Sequence, residues 1–89
     1  MMSNVHRNTI KLDQPATYLI EVQGALDPSW SEALGELQIE HRLGVEGGAI
    51  TRLTGKVADQ AALAGVLNLT FMLGMPLLAV TCLSTSEHP

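Results

Sequence analysis

The stretch Val57-Ala-Asp-Gln-Ala-Ala-Leu-Ala-Gly-Val-Leu-Asn-Leu-Thr-Phe-Met-Leu-Gly-Met-Pro-Leu-Leu-Ala-Val80 predicts a helix followed by a strand. Asp59 is a typical N-cap, because its carboxylate can accept hydrogen bonds from the unpaired amides of the first turn. Gly74 and Pro76 predict the end of the helix, since glycine adopts the left-handed conformation and proline cannot continue a helix. The apolar run from Leu77 to Leu83 is typical of a strand covered on at least one side.

The predicted helix is apolar all round, and no charged residue occurs between Ala61 and Ser86. The face expected to lie on a sheet carries Leu63, Val66, Leu67, Thr70 and Leu73. The opposite face carries Ala62, Leu69, Phe71, Met72 and Met75. A helix of this kind is buried in an assembly or in a membrane. Asn68, Thr70, the glycines and Pro76 within the run, with no Lys or Arg after it, favour self-association over a membrane span.

Length and charge narrow the classes of function. With 89 residues the chain predicts one small domain, for which oligomerisation is a common source of extra stability. Five Lys and Arg against nine Asp and Glu give a net charge of −4, which lacks the basic footprint of a nucleic-acid binder. The single Cys82 excludes an intramolecular disulfide and a cysteine metal cluster, and it fits a cytoplasmic protein.

The domain is predicted over residues 15–84. Residues 1–14 are polar and lack an apolar signal region, so we expect a loosely ordered lead-in, and residues 85–89 are expected to form a C-terminal tail. The first strand is predicted from Thr17 to Gly24, because Tyr18, Ile20 and Val22 alternate with Leu19, Glu21 and Gln23.

The segment after this strand has two interpretations. Asp27 as N-cap and Pro28 at the first helical position predict a helix. It either continues to Gly44 or stops after two turns at Gly35. The alternation through residues 37–43 favours the short helix followed by a second strand. The glycine-rich segment 44–48 then predicts a hairpin turn into a third strand.

The predicted order is therefore strand, short helix, strand, strand, long helix, strand. Right-handed crossovers on two such split units give a four-stranded antiparallel sheet with both helices on one face. The predicted fold is α+β and ferredoxin-like, β-α-β-β-α-β.

The pattern from Leu53 to Leu67, with Gly55, Val57 and Asp59-Gln-Ala-Ala-Leu63, followed by Leu73-Gly-Met-Pro-Leu-Leu-Ala-Val80, resembles a group of small bacterial proteins of uncharacterised function. Leu26, Asp27 and Trp30 fit the earlier part of the same pattern. Ala64 departs from it, because relatives often have histidine there. The resemblance covers most of the chain from Tyr18 to Val80, supports a soluble protein and implies no activity.

The sequence predicts no catalytic residue, metal site or cofactor. The histidines at positions 6, 41 and 88 have no Cys, Asp or Glu at metal-ligand spacing, and Glu40 and His41 point to opposite faces of a strand. Cys82 in the last strand is expected to be a buried, unreactive thiol.

The leading hypothesis is a non-catalytic interaction or regulatory module that forms a homodimer, with a protein partner as a variant of it. Its interface would be apolar surface left over on the long helix or the last strand, with Trp30, Leu69, Phe71, Met72 and Met75 as the interface residues. The alternative is a sensor or carrier of an anionic metabolite on the open sheet face or at a dimer seam, with ligand contacts from Glu40, Arg42 and Arg52. A third hypothesis is an enzyme with an intersubunit site that uses Glu40, His41 or Cys82.

Overall fold

The computed structural model describes residues 14–35 and 37–85, which form a four-stranded antiparallel sheet with one α-helix, so the α+β class is confirmed. The elements in chain order are β1 (Ala16–Gln23), a 3-10 helix (Pro28–Glu32), β2 (Gln38–Leu43), β3 (Ala49–Val57), α1 (Gln60–Met72) and β4 (Leu77–Thr85). The spatial order is β2-β3-β1-β4. Within the described residues, β2 and β4 are therefore the two edges.

One face of β1 forms the centre of the core, as its alternation predicted. Tyr18, Ile20 and Val22 are buried, and Ile20 lies directly opposite the buried Leu53 of β3. Leucines from the connecting segments and from α1 close this face. They are Leu26, Leu34, Leu37 and Leu63.

The predicted first α-helix is wrong, because the structure has a 3-10 helix of five residues at this place. The N–H of Trp30 donates to the carbonyl of Asp27 at 3.0 Å, the shorter hydrogen-bond spacing of a 3-10 helix. Two serines in five residues compete with helical hydrogen bonds, and none of the side chains is buried to offset helix nucleation. The described residues thus contain one α-helix and not the two predicted for a ferredoxin-like domain.

The segment after Gly35 follows the strand interpretation. β2 pairs with β3, with Ile39 opposite Leu53. The turn between them is closed by a hydrogen bond of 2.6 Å from the Gly44 N–H to the Gly48 carbonyl. Gly47 has a φ of +85°, a left-handed conformation that explains a glycine at this position.

Both predicted ends of α1 are confirmed. The Asp59 carboxylate accepts a hydrogen bond of 2.8 Å from the Ala62 N–H, and Gly74 follows the helix with a φ of +77°. With 13 residues, α1 is shorter than the roughly 20 needed to cross a bilayer, and the described residues hold no other helix suited to that.

The predictions for the chain ends lie mostly outside the described residues. These are the lead-in, of which only Gln14 is described, and the tail beyond Thr85. β4 extends to Thr85, one residue past the predicted domain boundary.

Candidate interaction surface

Exposed apolar side chains are concentrated at the end of α1 and along β4. Seven of the ten large apolar side chains that are exposed in the described residues lie between positions 71 and 83. They are Phe71, Met72, Leu73, Leu77, Leu78, Val80 and Leu83, and we call them the α1–β4 surface. Two of them lie at its margins, because Leu73 also lines a cleft with Trp30 and Leu78 lines a pocket on the open face with Gln23. Phe71 is 76% exposed and Met72 is 73% exposed, so the described part of one chain leaves most of both side chains in water.

The pairing of β4 with β1 decides which way its side chains point, because directly opposite residues share a face of the sheet. Val80 lies opposite Ile20, which places Val80 on the side of α1. Thr81 lies opposite Leu19 and therefore points to the other, open side. Ile20 is fully buried whereas Val80 is 38% exposed, so the cover over the core stops before it reaches β4.

Two irregularities divide β4. The pairing with β1 shifts by one residue between Thr17 and Tyr18 and again between Glu21 and Val22, which leaves Leu83 and Leu78 without an opposite residue. These are β-bulges, which bend a strand and change the alternation of its side chains. The regular part of β4 is the stretch 79–82 between them.

One flank of α1 faces β4. The Gln60 side-chain amide donates a hydrogen bond of 2.5 Å to the hydroxyl of Tyr18, which lies between Gly55 of β3 and Cys82 of β4. Ala62 and Val66, on the opposite flank of α1, line a groove with Val57 of β3, so the flank of Gln60 is the one turned toward β4. Phe71 follows Gln60 by eleven residues, about three helical turns, and therefore lies on the same flank. The other flank of α1 lines a groove with Leu34 and Gly35. Phe71 and β4 thus belong to one surface.

The five predicted interface residues do not form a single surface. Phe71 and Met72 lie on the α1–β4 surface, but Leu69 is partly buried in the groove on the other flank of α1. Trp30 and Met75 line a cleft near Gly24, which Leu73 also lines.

The β4 members of the surface were not among the residues singled out from the sequence. The uncharged stretch after Pro76 is the sequence feature that could have indicated them. A strand buried within one chain has the same feature, so the stretch does not distinguish the two cases.

The open face brings together the three predicted ligand-binding residues. Arg52 of β3 lies opposite both Glu40 of β2 and Glu21 of β1. Its Nε is 3.1 Å from Oε2 of Glu21, while Arg42 approaches Glu40 at 3.8 Å. Each arginine thus has a carboxylate beside it, which lowers the positive potential that an anionic ligand would meet.

The predicted enzyme residues lie at different places in the sheet, with Glu40 and His41 on opposite faces of β2 and Cys82 on β4 at the other edge. The Nε2 of His41 is 2.7 Å from the carbonyl oxygen of Leu26, and since a carbonyl only accepts, the ring donates its proton there. Cys82 is half-buried with its Sγ 3.8 Å from the Ser84 carbonyl oxygen. The described residues contain no cluster of His, Cys, Asp or Glu that suits a metal ion.

A structural hydrogen-bond network occupies this region instead. The Thr51 hydroxyl donates to the Gly24 carbonyl at 2.7 Å and accepts from the Leu26 N–H at 2.9 Å. Together with His41, it fixes both polar groups of the Leu26 backbone to the sheet. His41 and Thr51 therefore hold the loop after β1 in place.

These features define a small α+β domain whose most unusual property is an uncovered apolar edge. A family model described as "Domain of unknown function (DUF8691)" matches residues 17–81, and the chain belongs to this family. The curated proteins and the solved structures give no match. The expected kinship with an uncharacterised family is confirmed, whereas the particular motif proposed as its signature stays a prediction.

Proposed function

We propose that this protein is a non-catalytic interaction or regulatory module that self-associates through the α1–β4 surface. The observation that carries the proposal is the concentration of seven exposed apolar side chains between positions 71 and 83, with Leu77 and Val80 on the side of the sheet that α1 covers. Soluble monomers rarely expose large contiguous apolar patches, and such patches commonly mark interaction sites. A domain of this size also gains much of its missing burial by association.

The fold supports a variant of the ferredoxin-like architecture. The strand order β2-β3-β1-β4 with antiparallel neighbours is the order that two split β-α-β units produce, and the 3-10 helix at Pro28–Glu32 takes the place of the first helix. A cytoplasmic location and a bacterial origin remain predictions from the sequence.

A ligand-binding function on the open face has weaker support. Arg52 is only about a quarter exposed and lies beside Glu21, so its charge is largely compensated within the sheet. Arg42 is more accessible, but a single exposed arginine binds an anion weakly in water. We rank an anion sensor below the interaction module, and an enzyme below both.

Light scattering behind size exclusion tests the proposal. The wild-type chain of 9.5 kDa is expected to elute with at least twice that mass, and the double variant Phe71→Lys, Met72→Lys as a folded monomer. Leu43→Lys is the matched control, because Leu43 is 79% exposed but lies on β2, at the opposite edge of the sheet. It should keep the wild-type mass.

Two results would overturn the proposal. One is a monomeric wild-type chain at all concentrations up to about a hundred micromolar. The other is a double variant that keeps its circular dichroism and its wild-type mass. If the double variant does not fold, the single substitution Met72→Lys takes its place. It alters one exposed side chain and should weaken the association.

A further inference from the structure

We propose that two copies of the chain pair antiparallel along the outer edge of β4, about a two-fold axis within residues 79–82, so that their sheets join into one of eight strands. The inference rests on the proposed self-association and specifies its geometry. It makes the partner a second copy of this chain and the contact a strand pairing, with the helices as a second layer.

The outer edge of β4 carries backbone groups that no strand of the described residues pairs with. Alternate residues of a strand direct their N–H and C=O groups to opposite sides, and β1 pairs with one side of β4. Among the described residues, nothing pairs with the other side, so a row of donors and acceptors faces outward over the length of the strand. Another strand satisfies such a row completely, and a free edge of this kind is a template for pairing between chains.

The distribution of charge indicates that the pairing strand is β4 of a second copy of the chain. A two-fold axis brings equivalent parts of the same strand together, so any charge near the axis would meet its own copy. β4 carries no charged residue, although the chain as a whole has a net charge of −4. The edge of β4 is therefore a place where two copies approach with little repulsion. A highly charged partner would find nothing to pair with there.

Apolar side chains on the α1 side of β4 also support the pairing. Val80 and Leu77 lie opposite the buried Ile20 and Val22, yet both remain exposed. Phe71 lies on the flank of α1 that carries Gln60, opposite the groove lined by Leu34 and Val57, and therefore on the side of β4. When two β4 edges join, each copy's Val80 and Phe71 come to face the other copy's α1 flank. The core then continues across the axis, and the uncovered apolar side chains lose their contact with water.

The two β-bulges of β4 limit where the two-fold axis can lie. Leu78 and Leu83 interrupt the alternation, so a regular ladder is available only over the four residues between them. In an antiparallel pair, directly opposite residues point to the same face of the sheet. A two-fold axis perpendicular to the sheet therefore passes beside a residue that lies opposite its own copy. We expect this residue to be one of Ala79, Val80, Thr81 and Cys82.

Disulfide mapping tests this geometry. Opposite residues in an antiparallel pair have Cα atoms about 4.5–5.5 Å apart, within the range that a disulfide spans. Single cysteines are placed at positions 79, 80 and 81 in a Cys82→Ser background, and the wild-type chain reports on Cys82. Under mild oxidation, one of these four is expected to form a covalent dimer at least tenfold faster than Leu43→Cys in the same background.

Hydrogen exchange provides an independent measurement on the unmodified chain. Amides of β4 that point outward should exchange at least tenfold more slowly at high protein concentration than at low concentration. The amides of β2, at the opposite edge, serve as an internal control and should exchange equally at both concentrations.

The outcomes separate the two proposals. A monomeric wild-type chain overturns both. A dimer that shows no fast disulfide within residues 79–82 and no concentration-dependent protection of β4 overturns the strand pairing and leaves the self-association standing. Equal protection of β4 at all concentrations also overturns the pairing, because the edge would then be covered within one chain.

Discussion

The two edges of the sheet differ in what they present to water. β2 carries Glu40, His41 and Arg42 in succession, whereas β4 has no charge over its nine residues. Natural sheets commonly protect an edge with charged side chains, which discourage pairing with another sheet. Among the described residues, one edge of the sheet therefore carries the charges that protect an edge, and the other edge carries none.

The edges also differ in how they are held within the chain. On the β2 side, His41 and Thr51 bind the backbone of Leu26, so the neighbouring loop is attached by three hydrogen bonds. On the other side of the sheet, β4 pairs with β1, but several apolar side chains of β4 are exposed. Stability on the first side should depend on groups within one chain, and stability on the second side on protein concentration.

The largest expected effect is the loss of Thr51. Thr51→Val keeps the shape of this fully buried side chain but leaves the Leu26 N–H and the Gly24 carbonyl without their partner. An unsatisfied buried polar group costs about 1–3 kcal/mol, so we expect a loss in the free energy of unfolding of at least that size. Urea denaturation at fixed protein concentration measures it. Thr54→Val, on the open face of the same strand where the side chain is half-buried, is the control and should change the stability by less than about 0.5 kcal/mol; equal effects would contradict the argument.

The next effect is a dependence of stability on concentration. If burial on the β4 side comes from a second copy, the free energy of unfolding per dimer should rise by about 1.4 kcal/mol for each tenfold increase in concentration. Thermal melts over a hundredfold range should therefore show a rising Tm. The Phe71→Lys, Met72→Lys variant should show a constant Tm, and a constant Tm in the wild-type chain would argue against association.

The smallest effect on stability is expected from removing the protection of β2. Glu40→Thr with Arg42→Thr abolishes an exposed ion pair of 3.8 Å, which contributes less than about 0.5 kcal/mol, and leaves the net charge unchanged. Both edges would then be uncharged, so we expect particles larger than the wild-type assembly in light scattering.

The pair Glu46→Thr and Lys56→Thr is the control for this variant. It also removes one charge of each sign, from a turn and an inner strand, and should leave the size unchanged. Growth in the control as well would show that general loss of surface charge, and not the edge, causes the association.

Much of the fold could be predicted from local patterns. The alternation of Tyr18, Ile20 and Val22 has the period of a half-buried strand, and Asp59 and Gly74 mark the ends of α1 by their capping chemistry. The 3-10 helix could not be predicted, because Asp27 and Pro28 are equally good starts for an α-helix. The packing that decides between the two lies outside the segment.

The candidate site was less predictable for a related reason. An uncharged helix or strand reveals that it avoids water but not which neighbour covers it. Leu69 and Phe71 look alike in the sequence, yet one lies in the groove beside the 3-10 helix and the other is 76% exposed. The bulges at Leu78 and Leu83 further shift the alternation, so the sides of β4 cannot be assigned by counting residues.

The close approach of Met75 to Gly24 offers a reporter for spectroscopy. Gly24 has a φ of +112°, and a Cβ there would lie 3.3 Å from the Met75 methyl carbon. Met75 also lines a cleft with Trp30, whose indole ring shifts the resonance frequency of nearby protons. The methyl group of Met75 therefore lies where the end of β1, the 3-10 helix and the turn at the end of α1 meet. In a methyl NMR spectrum, this one signal would register a displacement of any of the three.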